Sequence, residues 1–413
     1  MPTSKDLSLY VVKFGGATIA DSYKIKRASS LLKKLVERGR KVIVVVSAMG
    51  KTTDELIKLA SSSSWGLPQR EQLDEILSMG ERLSSRVMAS SLSSLGVKTF
   101  LMDPMRDDWP IITDDAFGDA NPKMDVCQER IRKSVEPLLE KGYVLIFPGF
   151  VGKTEDGRIT TLGRGGSDTT AFLLASSLAA NLVILVTSVE GIMTADPKVI
   201  KKARRLDRLT VAELALLADS GAKFIHRKSL KYLSGDVKVK VVSYLIEDLE
   251  TSGGTIIEGE YPPLTVDVHH RTVTAVVIAG RISASLTDIL APLLALLRVH
   301  SLKLIGLLTD GLNITMYVSG ELPKSFLEEL HSLYVESGNA LGISVRSGLS
   351  SIIIKGSGLS ERPGLLSQVS APLKTHGINI HGVITLGSNF ILFLERKHLD
   401  TALNLVGGAL SSG

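Results

Sequence analysis

Leu9-Tyr10-Val11-Val12-Lys13-Phe14-Gly15-Gly16 is an apolar run with one cation, closed by two glycines. It reads as a strand covered on both faces that stops in a tight turn. Residues 22–38 follow with Ile25, Ala28, Leu31, Leu32 and Leu35 at helical spacing. Val42-Ile43-Val44-Val45-Val46, within 41–47, is a second continuous apolar run. Helices are expected at 53–61 and 69–95, and strands at 98–102, 144–148, 182–187 and 237–244. Strands that alternate with helices imply an α/β fold, with a mostly parallel sheet sandwiched by helices.

The pattern changes after Leu249-Glu250-Thr251-Ser252-Gly253-Gly254. A first domain over 1–250, a linker over 251–265 and a second domain over 266–413 are expected. In the second domain a strand–helix–strand–strand unit occurs twice. Its members are 272–279, 285–298, 302–308 and 313–318, then 351–355, 363–375, 379–385 and 389–394, with a closing helix at 397–410. Such β-α-β-β repeats predict two ferredoxin-like modules.

The 413 residues carry 48 Lys and Arg against 43 Asp and Glu, a net charge of +5, and 44% are hydrophobic. That excludes a disordered chain. With 5% aromatic residues and no basic tail, nucleic acid is not an expected partner. The single cysteine, Cys127, excludes an internal disulfide. No secretory or membrane-spanning segment is read, so a cytoplasmic protein is expected.

Two tempting motifs fail. Gly50-Lys51-Thr52 lacks the first glycine of a phosphate loop, because that position is Val45. Gly163-Arg164-Gly165 starts a dinucleotide fingerprint whose last glycine would be Asp168. Glycine-rich strand ends remain. Lys13 with Gly15 and Gly16 suits either a polyphosphate or a plain strand–helix turn. Ser47-Ala48-Met49-Gly50-Lys51-Thr52-Thr53 suits a small polar ligand or a helix cap. The segment from Gly163 to Thr170 packs glycines, hydroxyls, Arg164 and Asp168 before an apolar helix over 171–178. A guanidinium between glycines points to a clamped carboxylate or phosphate. Gly191 to Lys198 is a turn-rich loop at the same sheet edge, and Gly221-Ala222-Lys223 follows a helix over 211–219. By residue type alone, Glu81 is an exposed carboxylate, and residues 201–205 are a solvated helix face.

Taken in order, these segments resemble aspartokinases of the amino-acid-kinase superfamily. The resemblance rests on Lys13-Phe14-Gly15-Gly16, Val46-Ser47-Ala48-Met49-Gly50 with Thr53, Gly80-Glu81, residues 110–120, Pro148-Gly149-Phe150 and 160–168. It continues through Val189-Glu190-Gly191, Thr194-Ala195-Asp196-Pro197, Gly221-Ala222-Lys223 with His226, and Gly253-Gly254-Thr255-Ile256. The C-terminal modules look like tandem ACT domains, the second marked by Arg362-Pro363-Gly364 and Gly377-Ile378-Asn379-Ile380.

The resemblance implies transfer of the γ-phosphoryl of ATP to the β-carboxylate of L-aspartate, a first step towards lysine, threonine and methionine. It implies Lys13, Asp168, Glu81 and Lys223 as catalytic residues. Ser47, Thr53, Glu81, Arg164 and Ser167 would hold aspartate. Lys13, Gly15, Gly16, Thr187, Ser188, Met193, Lys198 and Lys223 would hold ATP, with Mg²⁺ carried on its phosphates and no protein metal site. A homodimer or larger homo-oligomer and an amino-acid effector at the ACT domains are also implied, with threonine favoured over lysine. The alternatives are a weakly active ACT-containing amino-acid sensor, or a kinase of another small carboxylate such as glutamate.

The sequence departs from the family pattern at Ala17, Thr18, Ser188, Met193, Lys198 and Arg227. Ser283-Ala284-Ser285 stands where the first ACT module usually has a Pro-Gly turn.

Overall fold

The expected first strand is β1 (Leu9–Phe14), and α1 (Ser22–Glu37), β2 (Lys41–Val46), α2 (Thr52–Ser63) and α3 (Arg70–Ser94) follow it in the computed structural model. That structure describes residues 8–66, 68–197, 199–219, 225–261, 264–280, 286–310, 313–356, 359, 364–386 and 389–411. The chain continues through β3 (Thr99–Leu101), α4 (Met124–Glu140), β4 (Val144–Pro148), β5 (Val151–Lys153), β6 (Ile159–Thr161) and α5 (Gly166–Ser177). Then come β7 (Leu182–Thr187), β8 (Arg208–Thr210), α6 (Val211–Asp219), α7 (Arg227–Leu230), β9 (Lys238–Ser243) and β10 (Thr255–Glu258).

These strands form one sheet in the order β3-β4-β2-β1-β7-β9-β10-β8. Every pairing is parallel except β9 with β10. Alternate residues of β1 enter opposite cores. Leu9 and Val11 pack with Trp109, Phe147 and Phe172, whereas Tyr10, Val12 and Phe14 pack with Leu32, Leu35 and Met88. Burial on both faces explains why β1 and β2 read as unbroken apolar runs. Phe14 is level with both Val46 and Val186, and Val46 with Pro148. The loops after β1, β2, β4 and β7 therefore leave one edge, the carboxyl end, where open α/β sheets bind ligands.

Four expectations change. Helix α5 starts at Gly166 rather than 171, because Gly165 takes a left-handed conformation (φ 76°) and turns the chain directly into it. Residues 201–202 form a turn, 203–204 are irregular, and Arg205 bridges to Met193 instead of lying on a helix. Helix α4 and the β5–β6 hairpin were not anticipated. The expected linker carries β10, which pairs with β9 on one side and β8 on the other. The chain accordingly divides into two compact units at Pro262/Pro263.

The second unit holds β11 (Thr265–Val268), β12 (Val273–Ala279), α8 (Leu286–Val299), β13 (Leu304–Thr309), β14 (Asn313–Ser319), α9 (Lys324–His331) and β15 (Gly342–Lys355). It closes with α10 (Leu365–Thr375), β16 (Ile380–Leu386), β17 (Asn389–Glu395) and α11 (Leu399–Ser411). Both β-α-β-β modules are present, and they share one antiparallel sheet, β13-β14-β12-β15-β17-β16. The ladder between β12 and β15 slips near Val273, opposite Gly348 at φ 75°. Such a bulge bends a sheet sharply. Tyr317 on β14 and Phe393 on β17 are three strands apart, yet their rings stack at 3.6 Å. A flat sheet would separate those strands by roughly 14 Å. The sheet is folded on itself around Val273, Leu349, Tyr317, Ile384 and Phe393. Among the described residues, no helix is long and apolar enough to cross a membrane.

Candidate active site

The site lies in the first unit, where loops from four parallel strands meet the start of α5. Lys13 is the penultimate residue of β1, and its side chain is half-buried. Asp168 sits in the first turn of α5, and its Oδ1 is 2.6 Å from Lys13 Nζ. An ion pair this sheltered fixes the cation's direction, and the helix start adds positive potential beside it.

Gly15 and Gly16 continue β1. A β-carbon on Gly16 would fall 2.3 Å from the carbonyl oxygen of Ala48, so only glycine lets this loop lie against the one after β2. Gly50 N–H donates to Gly16 O at 3.0 Å and ties the two loops together. After β2, Ser47 Oγ and Ser167 Oγ are 3.0 Å apart, which joins the β2 loop to the start of α5. Thr53 stands half-buried in the first turn of α2.

Glu81 is buried, with 4% of its surface exposed, which corrects its reading as a surface carboxylate. Its helix α3 packs beneath the β2 loop, and Ala48 N–H donates to Glu81 Oε1 at 3.1 Å. Glu81 Oε2 is buried without a hydrogen-bond partner among the described residues. Loss of water pushes this carboxyl up to about 7. A buried carboxylate oxygen with nothing to accept from suits a cationic group brought by a ligand.

Arg164 is exposed and makes no hydrogen bond or ion pair among the described residues. It sits between Gly163 and Gly165, both at positive φ. On the other side of β1, Thr187 ends β7 and its hydroxyl bonds within its own loop, accepting from Val189 N–H at 3.2 Å. Ser188 is exposed beside it, and Met193 is half-buried opposite Arg205. The structure therefore gathers Lys13, Gly15, Gly16, Ser47, Glu81, Ser167 and Asp168, with Arg164 at their rim and Thr187 and Ser188 at the neighbouring strand end. Lys198, Lys223, Ser283 and Ser285 lie outside the described residues.

Two further polar residues were not read from the sequence. Asp74, 1% exposed, accepts from Thr161 N–H, Thr161 Oγ1 and Gly118 N–H. Lys228 reaches Asp119 and the carbonyl of Leu162. Asp74 had a signal: it precedes Glu81 by seven residues, two helical turns, and shares its face.

This arrangement can hold anions beside a fixed cation, glycine amides and a helix start, and a cationic group against Glu81. Comparison with known proteins places the chain in a family. Residues 8–243 match the model of the amino acid kinase family. The chain is 31% identical to the aspartokinase of Geobacillus stearothermophilus over 407 residues, 96% of each chain. It is 31% identical to that of Mycobacterium tuberculosis over 426 residues, 98% of this chain and 97% of the other. Among solved structures, aspartate kinase from Synechocystis matches with a TM-score of 0.72 and 25% identity, covering 98% of this chain and 70% of that one. Aspartokinase III of E. coli in complex with lysine and aspartate matches with a TM-score of 0.55 and 25% identity, covering 98% and 99%.

Proposed function

The chain belongs to the aspartokinases of the amino acid kinase family and is an ATP-dependent kinase acting on aspartate, and from that premise we propose that it phosphorylates the β-carboxylate to give 4-phospho-L-aspartate. The observation that carries this reading is the conjunction of the Lys13–Asp168 ion pair with the unpartnered oxygen of Glu81. One suits a phosphoryl group in transfer, and the other suits an amino acid's ammonium.

The acceptor carboxylate, of ordinary pKa about 4, is already ionised at neutral pH, so no general base is needed. The work is to hold two anions in line and to stabilise charge on the transferred oxygens. Lys13 and, by family likeness, Lys223 are assigned to the phosphates, Gly15 and Gly16 lend amides, and Asp168 aims Lys13. Arg164 takes the α-carboxylate and Glu81 the α-ammonium, while Ser47, Thr53 and Ser167 complete the pocket. This leaves the β-carboxylate as the end directed at ATP. Thr187, Ser188, Met193 and, by family likeness, Lys198 are assigned to the nucleotide. Among the described residues no group of three His, Cys, Asp or Glu could hold a metal ion. Mg²⁺ would be carried chiefly by the ATP phosphates and water, where it would neutralise charge.

The second unit is ACT-like, and we assign it an amino-acid effector and a role in pairing two copies of the chain. Threonine is the favoured effector. A buried lysine ammonium calls for a free carboxylate. Around β13 the cation Lys303 is exposed, and Asp310 is engaged by Asn313 N–H at 2.8 Å. Strands β13 and β16 end the sheet order and offer edges for pairing.

The test is ATP-dependent hydroxamate formation with aspartate, glutamate, acetylglutamate or no acceptor. Turnover with aspartate at least a hundredfold above the others supports the reading, and equal or better turnover with glutamate refutes it.

A further inference from the structure

We propose that Asp74 and Lys228 are positioning residues that together clamp the turn carrying Arg164 and thereby set the affinity for the amino-acid substrate. The inference rests on the assignment of Arg164 to that substrate. Arg164 has no hydrogen bond or ion pair among the described residues, so the backbone of Gly163 and Gly165 sets where its side chain begins.

That backbone is held at its entrance by Asp74. Its Oδ2 accepts from Thr161 N–H at 2.8 Å and from Gly118 N–H at 2.9 Å, and its Oδ1 accepts from Thr161 Oγ1 at 2.7 Å. One buried carboxylate thus joins α3, the end of β6 and the loop at 118. Burial pushes its pKa upward while these three donors pull it down.

Lys228 holds the turn through its carbonyls. Its Nζ lies 3.1 Å from Leu162 O, 3.1 Å from Ala120 O, 3.0 Å from Asp119 O and 2.6 Å from Asp119 Oδ1. Four acceptors surround three protons, and the Lys228 side chain is 15% exposed. Asp119 in turn lies close against Gly163, where a β-carbon would fall 2.1 Å from its Oδ1. The two clamps therefore grip the same pair of segments, 118–120 and 161–163, one residue short of Arg164.

The experiment compares full-length Lys228→Met, Asp74→Leu and Asp74→Asn with wild type, by steady-state kinetics and by amide hydrogen exchange of residues 118–120 and 161–166. Lys228→Met leaves three carbonyls and Asp119 without their cation, and Asp74→Leu leaves the buried Thr161 amide and the Gly118 amide without their acceptor. Both should raise the aspartate KM at least tenfold, hold the ATP KM within twofold, and speed exchange in the two segments at least tenfold. Asp74→Asn should restore near-wild-type values. Its carbonyl can accept both amides while its NH₂ donates to the Thr161 hydroxyl, which rotates. A purely structural role would raise both KM values together, and that result overturns the proposal.

Aspartate KM values within twofold of wild type in both Lys228→Met and Asp74→Leu overturn it as well. If Asp74→Leu does not fold, Lys228→Met decides alone. If Arg164→Ala raises the aspartate KM and Lys228→Met does not, the clamp fails while the functional reading stands. If wild type does not phosphorylate aspartate, the functional reading fails, and unchanged exchange then also removes the clamp.

Discussion

Lys13 Nζ lies 2.6 Å from Asp168 Oδ1, an ion pair that ties the end of the central strand to the first turn of the most buried helix. The pair stands where the amide-bearing loops meet, so each partner has a distinct loss to report.

Lys13→Ala removes the cation, and Asp168→Ala frees it to swing. Loss of one preorganised donor to a transition state costs about 3 kcal/mol, or roughly a hundredfold in kcat. Both variants should fall by that order and still fold, since the two side chains border an open edge. Near-wild-type turnover by purified Lys13→Ala would remove Lys13 from the chemistry.

Arg164→Ala should raise the KM for aspartate more than that for ATP. A clamp on a non-reacting carboxylate binds ground and transition states alike. Initial rates over a grid of both substrates check this. A rise confined to ATP would move Arg164 to the nucleotide.

Glu81 predicts two pH effects of opposite use. Its carboxyl is raised from 4.5 to about 7 by burial. Between these values the folded protein holds a proton that the unfolded chain has released. Its contribution to stability is therefore full below about 4.5 and is lost as pH rises through about 7. Glu81→Gln should flatten that slope and be more stable than wild type at pH 8, by up to roughly 3 kcal/mol. Binding an ammonium needs the ionised form, so the aspartate KM of wild type should fall as pH rises through 7. In Glu81→Gln it should be higher and flat. Denaturant melts and kinetics at pH 6, 7 and 8 test both halves.

Threonine should inhibit and raise the melting temperature, whereas lysine should do neither at equal concentration. Titrating each amino acid against activity and thermal melting checks the assignment. Inhibition by lysine alone would mean that a carboxylate other than Asp310 reaches the effector.

What could be read in advance followed the packing. Strands β1, β2, β4 and β7 are buried on both faces, so their apolar runs were plain. The glycine-rich ends were equally visible, because close loop contact at Gly16 excludes any β-carbon. Helix α4 was missed although Cys127, Ile131, Val135 and Leu139 recur every fourth residue, since Pro137 interrupts the pattern. The first half of β15 is exposed and carries no alternation, so only its end could be recognised. Glu81 looked solvated because charge by itself predicts exposure. Its burial comes from the β2 loop closing over α3, a tertiary fact. Asp74 shares the helix face of Glu81, but the partners of Asp74 and Lys228 lie in distant segments that no local spacing encodes.

The most direct measurement identifies the carboxyl group that becomes phosphorylated. Wild-type enzyme is incubated with ATP, Mg²⁺ and L-aspartate, and the acyl phosphate is reduced with borohydride, which delivers hydride to the activated carbonyl and releases phosphate. Phosphorylation of the β-carboxylate, as the roles of Arg164 and Glu81 require, yields homoserine. Recovery of 3-amino-4-hydroxybutanoate, the product from the α-carboxylate, or of neither alcohol, would contradict the account.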